Sequence, residues 1–266
     1  MIEVIAEIGW NHLGDMSLAK KMIDAAAKNG ANFAKFQSWS VSRLTNGPWD
    51  EDGRREIYLQ AELSEDDHIE LIKYCNKSNI KFMSSVFSIP DAELLVRLGV
   101  DSVKIPSFES RNRDLIDFCG RNFQKVYMST GTSSLNEIES NIDIMPKHVF
   151  TLLHCVSTYP CEYANANLPR MLELRKLGYN TGYSDHIFGV ESAKIAIGFG
   201  AEVIEKHFTV NRDLPGRDNK FAILPGDLKN LTDYINFRED MMINHGIGYQ
   251  KIESESREKY SGRFNG

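Results

Sequence analysis

The sequence is poor in cysteine, has no excess of positive charge and contains no long apolar run. Its four cysteines form neither a CxxC pair nor a zinc-knuckle spacing, which favours free, buried thiols in a reducing compartment. No stretch approaches the roughly 18 consecutive apolar residues of a membrane helix, and the first residues lack the basic region and cleavage site of a signal peptide. A net charge of −6 argues against the basic face that nucleic acid requires. We therefore expect a cytoplasmic protein with neither a membrane nor a nucleic-acid partner.

Predicted strands and helices alternate along the whole chain. The strands are expected at residues 4–9, 33–38, 81–87, 102–106, 125–130, 149–155, 180–186 and 202–209. The helices that follow them are expected at residues 17–29, 64–77, 91–98, 112–120, from 133, 168–177, 190–199 and 226–244. Ser17 is the expected N-cap of the first helix, and a long loop is expected from the second strand to about Glu62. This alternation indicates parallel strands joined by right-handed crossovers.

Eight βα units close most naturally as a single-domain (β/α)8 barrel, or TIM barrel, of the α/β class. A doubly wound open sheet is the alternative, but no G-x-G-x-x-G motif follows a predicted strand. We assign residues 1–250 to the barrel. Residues 251–266 are polar and charged, and we expect them to form a C-terminal tail or a partner-docking arm.

Two histidines lie where the last two predicted strands end. Because side chains alternate along a strand, Ser184 and His186 share one face, and Glu205 and His207 share one face of the next strand. Parallel α/β folds build their active sites at this edge of the sheet. Neutral imidazoles with nearby carboxylates are a normal way to hold a divalent transition metal. A single strand histidine, by contrast, is more often a hydrogen-bonded core residue.

Lysines and serines occupy the same ends of other strands. Lys35 and Lys104 supply positive charge and the serines supply hydroxyl donors, a combination that suits a phosphate or a carboxylate. The competing interpretation is that each lysine forms a structural ion pair with Glu7 or Glu205. We also favour structural roles for Ser84, Thr130 and His154, because polar side chains commonly satisfy hydrogen bonds at strand ends. The cysteines are interpreted as packing residues.

Several short motifs, in matching order and spacing, resemble the sialic acid synthase family from residue 3 to about residue 245. They include Ala6-Glu7-Ile8-Gly9-Trp10-Asn11-His12, Ala34-Lys35-Phe36-Gln37, Val103-Lys104-Ile105-Pro106-Ser107, Tyr127-Met128-Ser129-Thr130-Gly131, Tyr183-Ser184-Asp185-His186, Glu205-Lys206-His207-Phe208-Thr209 and Pro215-Gly216-Arg217-Asp218. The resemblance implies a TIM-barrel enzyme, usually a homodimer, that uses phosphoenolpyruvate. Such enzymes join phosphoenolpyruvate to an aldose, usually an N-acetylated amino sugar. The products are phosphate and a 2-keto-3-deoxy sugar acid, which is a sialic acid-like nonulosonate.

The resemblance also implies roles for individual residues, carried over by motif position. It implies a divalent metal, manganese or magnesium, bound by His186 and His207. The implied substrate-binding residues are Lys35, Gln37, Ser85, Lys104, Ser107, Ser129, Ser157 and Ser184. The implied catalytic residues are Glu7, Glu109, Tyr159 and Asp218, with Glu109 as the candidate proton-transfer group.

The sequence departs from the family pattern at the acceptor side. Phe108 stands where family members often carry a glycine, and we expect it to narrow the acceptor pocket. Arg217 stands in place of a proline, either as a charge for an anionic group or as a solvated loop residue. The family's C-terminal antifreeze-like domain, which covers the partner subunit's acceptor site, has no counterpart in this sequence. Three explanations stay open: another chain supplies the cover, the acceptor differs, or no cover is needed.

Two other functions compete with the synthase. One is a metal-dependent barrel aldolase or isomerase that uses free pyruvate, and the other is a non-catalytic sugar-phosphate binding protein. Retention of both histidines, both lysines and Asp218 argues against binding alone, because binding does not need the whole set. Phosphate release distinguishes the synthase from the aldolase.

Overall fold

The computed structural model describes residues 2–264 and shows eight parallel strands closed into one barrel. The strands are β1 (Glu3–Gly9), β2 (Phe33–Ser38), β3 (Lys81–Val86), β4 (Ser102–Ile105), β5 (Lys125–Ser129), β6 (Phe150–Cys155), β7 (Asn180–Asp185) and β8 (Val203–His207). They neighbour one another in chain order, and β1 closes the barrel by pairing with β8. The predicted (β/α)8 TIM barrel is therefore confirmed.

Helices surround this barrel, and most of them cover its outer face. They are α1 (Met16–Lys28), α2 (Arg54–Ala61), α3 (Glu65–Lys77), α4 (Ile89–Arg97), α5 (Arg113–Asn122), α6 (Leu135–Glu139), α7 (Arg170–Lys176), α8 (Glu191–Gly198), α9 (Pro225–Met241) and α10 (Ser254–Tyr260). Apolar faces of helices and strands meet in one large buried cluster between the two layers. No helix within residues 2–264 is long and apolar enough to cross a membrane.

The barrel interior changes from apolar to polar along the strands. A small separate cluster of buried apolar side chains fills the part of the interior nearer the amino ends of the strands. It consists of Ile5, Phe33, Met83, Tyr127, Leu153 and Val203. Two residues further along the same strands, and hence on the same face, stand Glu7, Lys35, Ser85, Ser129, Cys155 and Glu205. This apolar cluster, called the plug below, closes the barrel at the amino ends of its strands. The polar side chains therefore surround a cavity that opens at the carboxyl ends of the strands.

Two local predictions were wrong. Helix α1 is capped by Asp15 and not by Ser17, because the Asp15 carboxylate accepts hydrogen bonds from the amides of Ser17 and Leu18 at 2.8 and 3.0 Å. The segment after β2 is not a long loop, since it contains α2. Gly53, at a φ of 80°, makes the left-handed turn that starts this helix.

The tail assignment for residues 251–266 stays a prediction. The barrel elements end with α9 at Met241, and the described residues after Met242 are exposed, including the short helix α10. Asn265 and Gly266, like Met1 of the assigned barrel, lie outside the described residues.

Candidate active site

A cavity of about 500 Å³ opens at the carboxyl ends of the barrel strands. Of the predicted site residues it is lined by Glu7, Lys35, Gln37, Ser85, Lys104, Ser107, Ser129, Ser157, Tyr159, Ser184, His186, His207 and Asp218. Its position matches the place where TIM barrels carry their catalytic residues. The structure therefore brings into one chamber residues that come from all eight strands or from the loops that follow them.

Lys35 and Glu7 form the first of two buried lysine–carboxylate contacts in this chamber. Lys35 Nζ lies 2.6 Å from Glu7 Oε2 and 3.6 Å from Glu205 Oε2, and it donates a hydrogen bond to Ser85 Oγ at 2.8 Å. Gln37 Nε2 donates to the other Glu7 oxygen at 2.6 Å. Burial alone would lower the pKa of Lys35, but Glu205 and Glu7 hold it above its ordinary value. Lys35 is therefore a charged ammonium with two close partners, Glu7 and Ser85, and with a second carboxylate, Glu205, further away.

Glu205 connects the second lysine to the same network. Its Oε1 lies 3.3 Å from Lys104 Nζ and accepts a hydrogen bond from Ser184 Oγ at 2.7 Å. Burial alone would raise the pKa of Glu205, but Lys104 and Lys35 hold it far below the usual range. Burial lowers the pKa of Lys104 itself. Both interpretations of the lysines therefore hold. The lysines do form ion pairs, and these ion pairs line an open cavity where a ligand can reach the same atoms.

Serines also form a wall of the cavity after β4, β5 and β6, and two of them lie close to Gly131. A Cβ at Gly131 would lie 2.4 Å from Ser157 Oγ and 2.7 Å from Ser107 Oγ, closer than a methyl group can approach. Ser129 Oγ is buried without a hydrogen-bond partner in the described part of the chain. A buried hydroxyl without a partner is unusual, so this wall has unused capacity to bind a polar ligand.

His186 and His207 lie side by side, with ring centroids 5.3 Å apart. His186 Nδ1 must donate its hydrogen bond to the Val156 carbonyl at 2.8 Å, since a carbonyl only accepts; Nε2 of the neutral ring is then left with a free lone pair. His207 Nδ1 lies 3.3 Å from Asp218 Oδ2. The Tyr159 ring packs on His186 at a centroid distance of 4.2 Å. The hydrogen bond to Val156 orients the other nitrogen of His186, as is common for metal-binding histidines. His207 Nδ1 is buried without a hydrogen-bond partner in the described part of the chain.

The histidine pair is not part of a larger preformed ligand cluster. Within residues 2–264, no group of three or more His, Cys, Asp or Glu side chains is gathered as a metal site would gather them. Two imidazoles still form an acceptable partial donor set, because substrate and water oxygens complete many catalytic metal sites. The chemistry of the donors therefore fits a divalent metal.

Glu109 is the predicted site residue that the structure places elsewhere. It follows β4 but does not line the cavity, and its carboxylate accepts a hydrogen bond from Asn112 Nδ2 at 2.8 Å. The residues given structural interpretations do make structural contacts. His154, for example, donates from Nε2 to the Ala166 carbonyl at 2.7 Å, and Thr130 donates to the Leu153 carbonyl at 3.1 Å.

Cys155 is a cavity residue that the packing interpretation of the cysteines missed. Its Sγ lies 3.8 Å from His186 Nδ1 and accepts from Ser107 Oγ at 3.4 Å. Burial alone would raise the pKa of the thiol, but His186 lowers it to about 7. The signal was present in the sequence: Cys155 stands two residues after the plug residue Leu153, as the other polar interior residues do on their strands.

An aromatic wall forms one side of the mouth. Trp10 lies 5.2 Å from Tyr58 and 6.4 Å from Trp39 between ring centroids, and Trp39 lies 6.0 Å from Phe87. Tyr58 comes from α2, in the segment that the sequence presented as a loop. Phe108 also lines the cavity and is 59% exposed, which places it at the rim.

Comparison with known proteins identifies the family. A family model described as the NeuB family matches residues 22–246. The chain belongs to the NeuB family. This NeuB chain is 35% identical over 273 residues to the N,N'-diacetyllegionaminic acid synthase of Campylobacter jejuni, covering 96% of this chain and 80% of that protein. It is 32% identical to the pseudaminic acid synthase of Helicobacter pylori, over 88% of this chain and 73% of that protein.

A solved structure gives the same answer. The N-acetylneuraminic acid (sialic acid) synthetase of Leptospira borgpetersenii superposes on the NeuB chain with a TM-score of 0.86 at 34% identity, over 97% of this chain and 92% of that one. The expected family is confirmed. So is the expected class of enzyme, a transferase that forms a carbon–carbon bond between phosphoenolpyruvate and an amino sugar and yields a nonulosonic acid.

Proposed function

We propose that the cavity condenses phosphoenolpyruvate with an N-acylated amino aldose, with one wall for the anion and the other for the acceptor. The observation that carries this division is the arrangement of two buried lysines on β2 and β4, across the barrel from the two histidines at the ends of β7 and β8. Lysines and hydroxyls suit an anion, and imidazoles suit a metal that acts on an aldehyde.

Phosphoenolpyruvate would be held by the lysines and by serines of the neighbouring strands. In the proposed cradle the residues are Lys35, Lys104, Ser85, Ser107, Ser129 and Ser184, with Gln37 and Ser157 at its edges. Lys35 already lies 2.6 Å from Glu7 and 2.8 Å from Ser85, so an incoming anion would share the ammonium with these groups or displace one of them. Glu7 and Glu205 would hold the ammonium groups in place before the anion arrives.

A divalent metal, Mn²⁺ or Mg²⁺, would be held by His186 and His207. When bound, it would supply Lewis acidity to the acceptor aldehyde. The chain's own contribution is orientation. The Val156 carbonyl fixes the His186 ring, Asp218 lies beside His207, and Tyr159 packs across His186.

The remaining residues fit the carbon chemistry. Electrons of the phosphoenolpyruvate double bond move from C3 to the aldehyde carbon, which leaves C2 electron-poor, and the carboxylates of Glu7 and Glu205 would stabilise it. Water then adds at C2, and one of its protons goes to the aldehyde oxygen, which becomes a hydroxyl. The bond between C2 and the bridging oxygen breaks, C2 becomes the keto carbon, and phosphate leaves with the second proton. Asp218 and Tyr159 would orient the acceptor. Proton transfer by Glu109 stays a prediction that its position outside the cavity lining does not support.

The acceptor is proposed at the level of an N-acetylated amino sugar. The aromatic wall of Trp10, Tyr58 and Phe87, together with Phe108 and Phe221, suits the apolar face of a sugar ring and the methyl group of an acetamide. The deciding experiment incubates the purified chain with phosphoenolpyruvate, Mn²⁺ and single acceptors: N-acetylmannosamine, 6-deoxy diacetamido sugars and plain aldoses. Phosphate and 2-keto acid must appear together in equal amounts with at least one amino sugar. Failure with every acceptor would contradict the proposal.

Three further proposals concern setting and assembly. The chain would work in the cytoplasm, where phosphoenolpyruvate is made, and as a homodimer, as the family resemblance implies. A separate chain would cover the acceptor side of the cavity. In support of this last point, Phe108 and Tyr159 line the cavity yet are 59% and 44% exposed.

A further inference from the structure

A buried ion pair lies directly behind the two histidines. Asp185 and Lys206 are the residues that precede His186 and His207, and they face each other in the register of β7 and β8. Lys206 Nζ lies 3.1 Å from Asp185 Oδ2, and the side chains are 2% and 0% exposed. Since neighbouring residues of a strand point to opposite faces, this pair lies outside the barrel wall while the histidines face the cavity.

The pair holds the main chain that follows His186. Asp185 Oδ1 accepts a hydrogen bond from the Ile187 amide at 2.9 Å, and Lys206 Nζ donates to the Ile187 carbonyl. Both polar groups of that one residue are therefore bound to the same ion pair. Ser192 of α8 donates to Asp185 Oδ2 at 2.6 Å, which fixes the carboxylate from the helix side.

Stability alone is a poor reason for such an arrangement. Withdrawing two charges from water costs several kcal/mol each, and well-packed apolar residues often replace a buried ion pair without loss of stability. The pair instead provides a fixed connection between the ends of β7 and β8, where His186 and His207 are located. On the β8 side, the Ile223 amide donates to the His207 carbonyl at 2.8 Å, so the second histidine is also held by its main chain.

We infer that Asp185 and Lys206 are positioning residues that set the placement of His186 relative to His207 and thereby the affinity of the pair for a divalent cation. This inference rests on the metal assignment in the proposed function. The lysine–serine cradle is built mainly on β2 to β5. Its Ser184 is next to Asp185 in β7 but points to the opposite face of the strand, towards the cavity. The cradle's hydrogen bonds and ion pairs in the described residues involve neither Asp185 nor Lys206, so anion binding should not depend on this pair.

The test measures cation binding directly, without turnover. Lys206→Met keeps most of the side-chain volume and removes the charge and the bond to Ile187. The double variant Asp185→Asn, Lys206→Met also removes the unpaired carboxylate, which makes folding easier. Mn²⁺ affinity is read from the electron paramagnetic resonance signal of free Mn²⁺ in the full-length protein. Loss of residues that orient metal ligands typically weakens metal binding about 10–100-fold, and that is the expected change in both variants.

Arg175→Met is the matched control. Arg175 joins β7 to the turn before β8, through Thr181 Oγ1 at 3.0 Å and the Gly200 carbonyl at 2.6 Å. These contacts lie at the amino ends of the two strands, away from the histidines. We expect it to lower stability and to leave Mn²⁺ affinity unchanged. Phosphoenolpyruvate binding without metal, followed by tryptophan fluorescence, should be the same in all of these proteins.

The outcomes separate this inference from the proposed function. If the wild-type chain itself does not bind Mn²⁺, the metal assignment fails. If the wild type binds Mn²⁺ and the folded Lys206 variants bind it equally well, the pair is merely structural and the inference is overturned. Should neither Lys206 variant fold, Ser192→Ala removes a single hydrogen bond from Asp185. A several-fold weaker Mn²⁺ affinity in Ser192→Ala supports the inference, and an unchanged affinity contradicts it.

Discussion

Lys35 Nζ lies 2.6 Å from Glu7 Oε2 inside the barrel, and the two side chains are 2% and 3% exposed. An ion pair so deeply buried would normally be a structural feature. Here the same pair lines an open cavity of about 500 Å³, so its charges are available to a ligand that enters from the mouth. The proposed anion cradle depends on this availability.

Removing either buried lysine should therefore damage catalysis more than folding. Lys35→Met and Lys104→Met retain the apolar stem and delete the charge. Contacts to charge that develops in the transition state are worth about 2.7–4 kcal/mol, so kcat should fall roughly 10²–10³-fold. Lys125→Met is the control, because Lys125 pairs with Glu3 at the other end of the barrel. Unchanged kinetics in both site variants, with folding intact, would restore the purely structural interpretation.

The serine wall should be sensitive to a single methyl group. Gly131→Ala would push Ser107 and Ser157 apart, because its Cβ would lie within 2.7 Å of both hydroxyl oxygens. Misplacing a binding group by about 1 Å can cost on the order of 100-fold, so we expect kcat/KM for phosphoenolpyruvate to fall about 10–100-fold. Gly198→Ala is the comparison, since nothing lies within 4 Å of a Cβ there. Equal steady-state constants for the two variants would show that the serine positions do not matter.

The metal should be essential, and both histidines should be needed for it. Chelation is expected to abolish turnover of the wild type, and added Mn²⁺ to restore it. His207→Ala should lose metal-dependent activity, as should His186→Ala. His154→Ala serves as the control for loss of a buried histidine, since that ring bonds to the Ala166 carbonyl outside the site. Full metal-dependent activity in His207→Ala would show that the assignment is wrong.

His12 should make the fold sensitive to acid. Burial lowers the pKa of this histidine from 6.5 to about 4, against the opposing effect of Asp67 and Asp15, and its Nδ1 accepts a hydrogen bond from the Gly14 amide. In the unfolded chain His12 is protonated below pH 6.5, whereas in the folded chain it is protonated only below about pH 4. On account of His12 alone, the free energy of unfolding should be fully retained above pH 6.5 and should fall by about 3 kcal/mol as the pH drops towards 4.

His12→Asn isolates this contribution. The asparagine oxygen can accept from the Gly14 amide in place of Nδ1 but cannot take up the proton. Urea unfolding of both proteins across this pH range should show a smaller loss of stability in the variant. Parallel pH profiles for the two proteins would refute the role given to His12.

The barrel could be predicted from the sequence because short apolar strands alternate with helices along the chain, and because each helix has one apolar face. Much of the cavity lining could be predicted because polar residues stand near the carboxyl ends of the strands, as Glu7 does two positions after Ile5. The loop residues Ser157, Tyr159 and Asp218 came from the family resemblance, and the roles of the site residues stay predictions. The prediction missed Cys155 because a cysteine also suits a packed core. It missed Tyr58 because α2 lies in a segment rich in Gly, Asp and Pro, where tertiary contacts with Trp10 and Trp39 provide the order.

Glu109 shows what a motif leaves open. Its motif position suggested a proton-transfer group, which stays a prediction, and the 3-10 turn after β4 directs its carboxylate to Asn112. Only the path of the chain after a strand decides whether a side chain returns to the cavity, and a motif does not contain that path. The substitution of Phe108 for a small residue in the same turn is likewise visible in the sequence, while its position at the rim comes from the structure.

The central claim is that the chain joins phosphoenolpyruvate to an acceptor by attack of water at C2, with cleavage of the C2–O bond. Phosphoenolpyruvate labelled with ¹⁸O at the bridging oxygen tests it directly, with mass spectrometry of both products. The account predicts that the label leaves with the phosphate. Label retained in the keto group of the sugar acid, under conditions that suppress exchange with water, would place the cleavage at phosphorus and contradict the account.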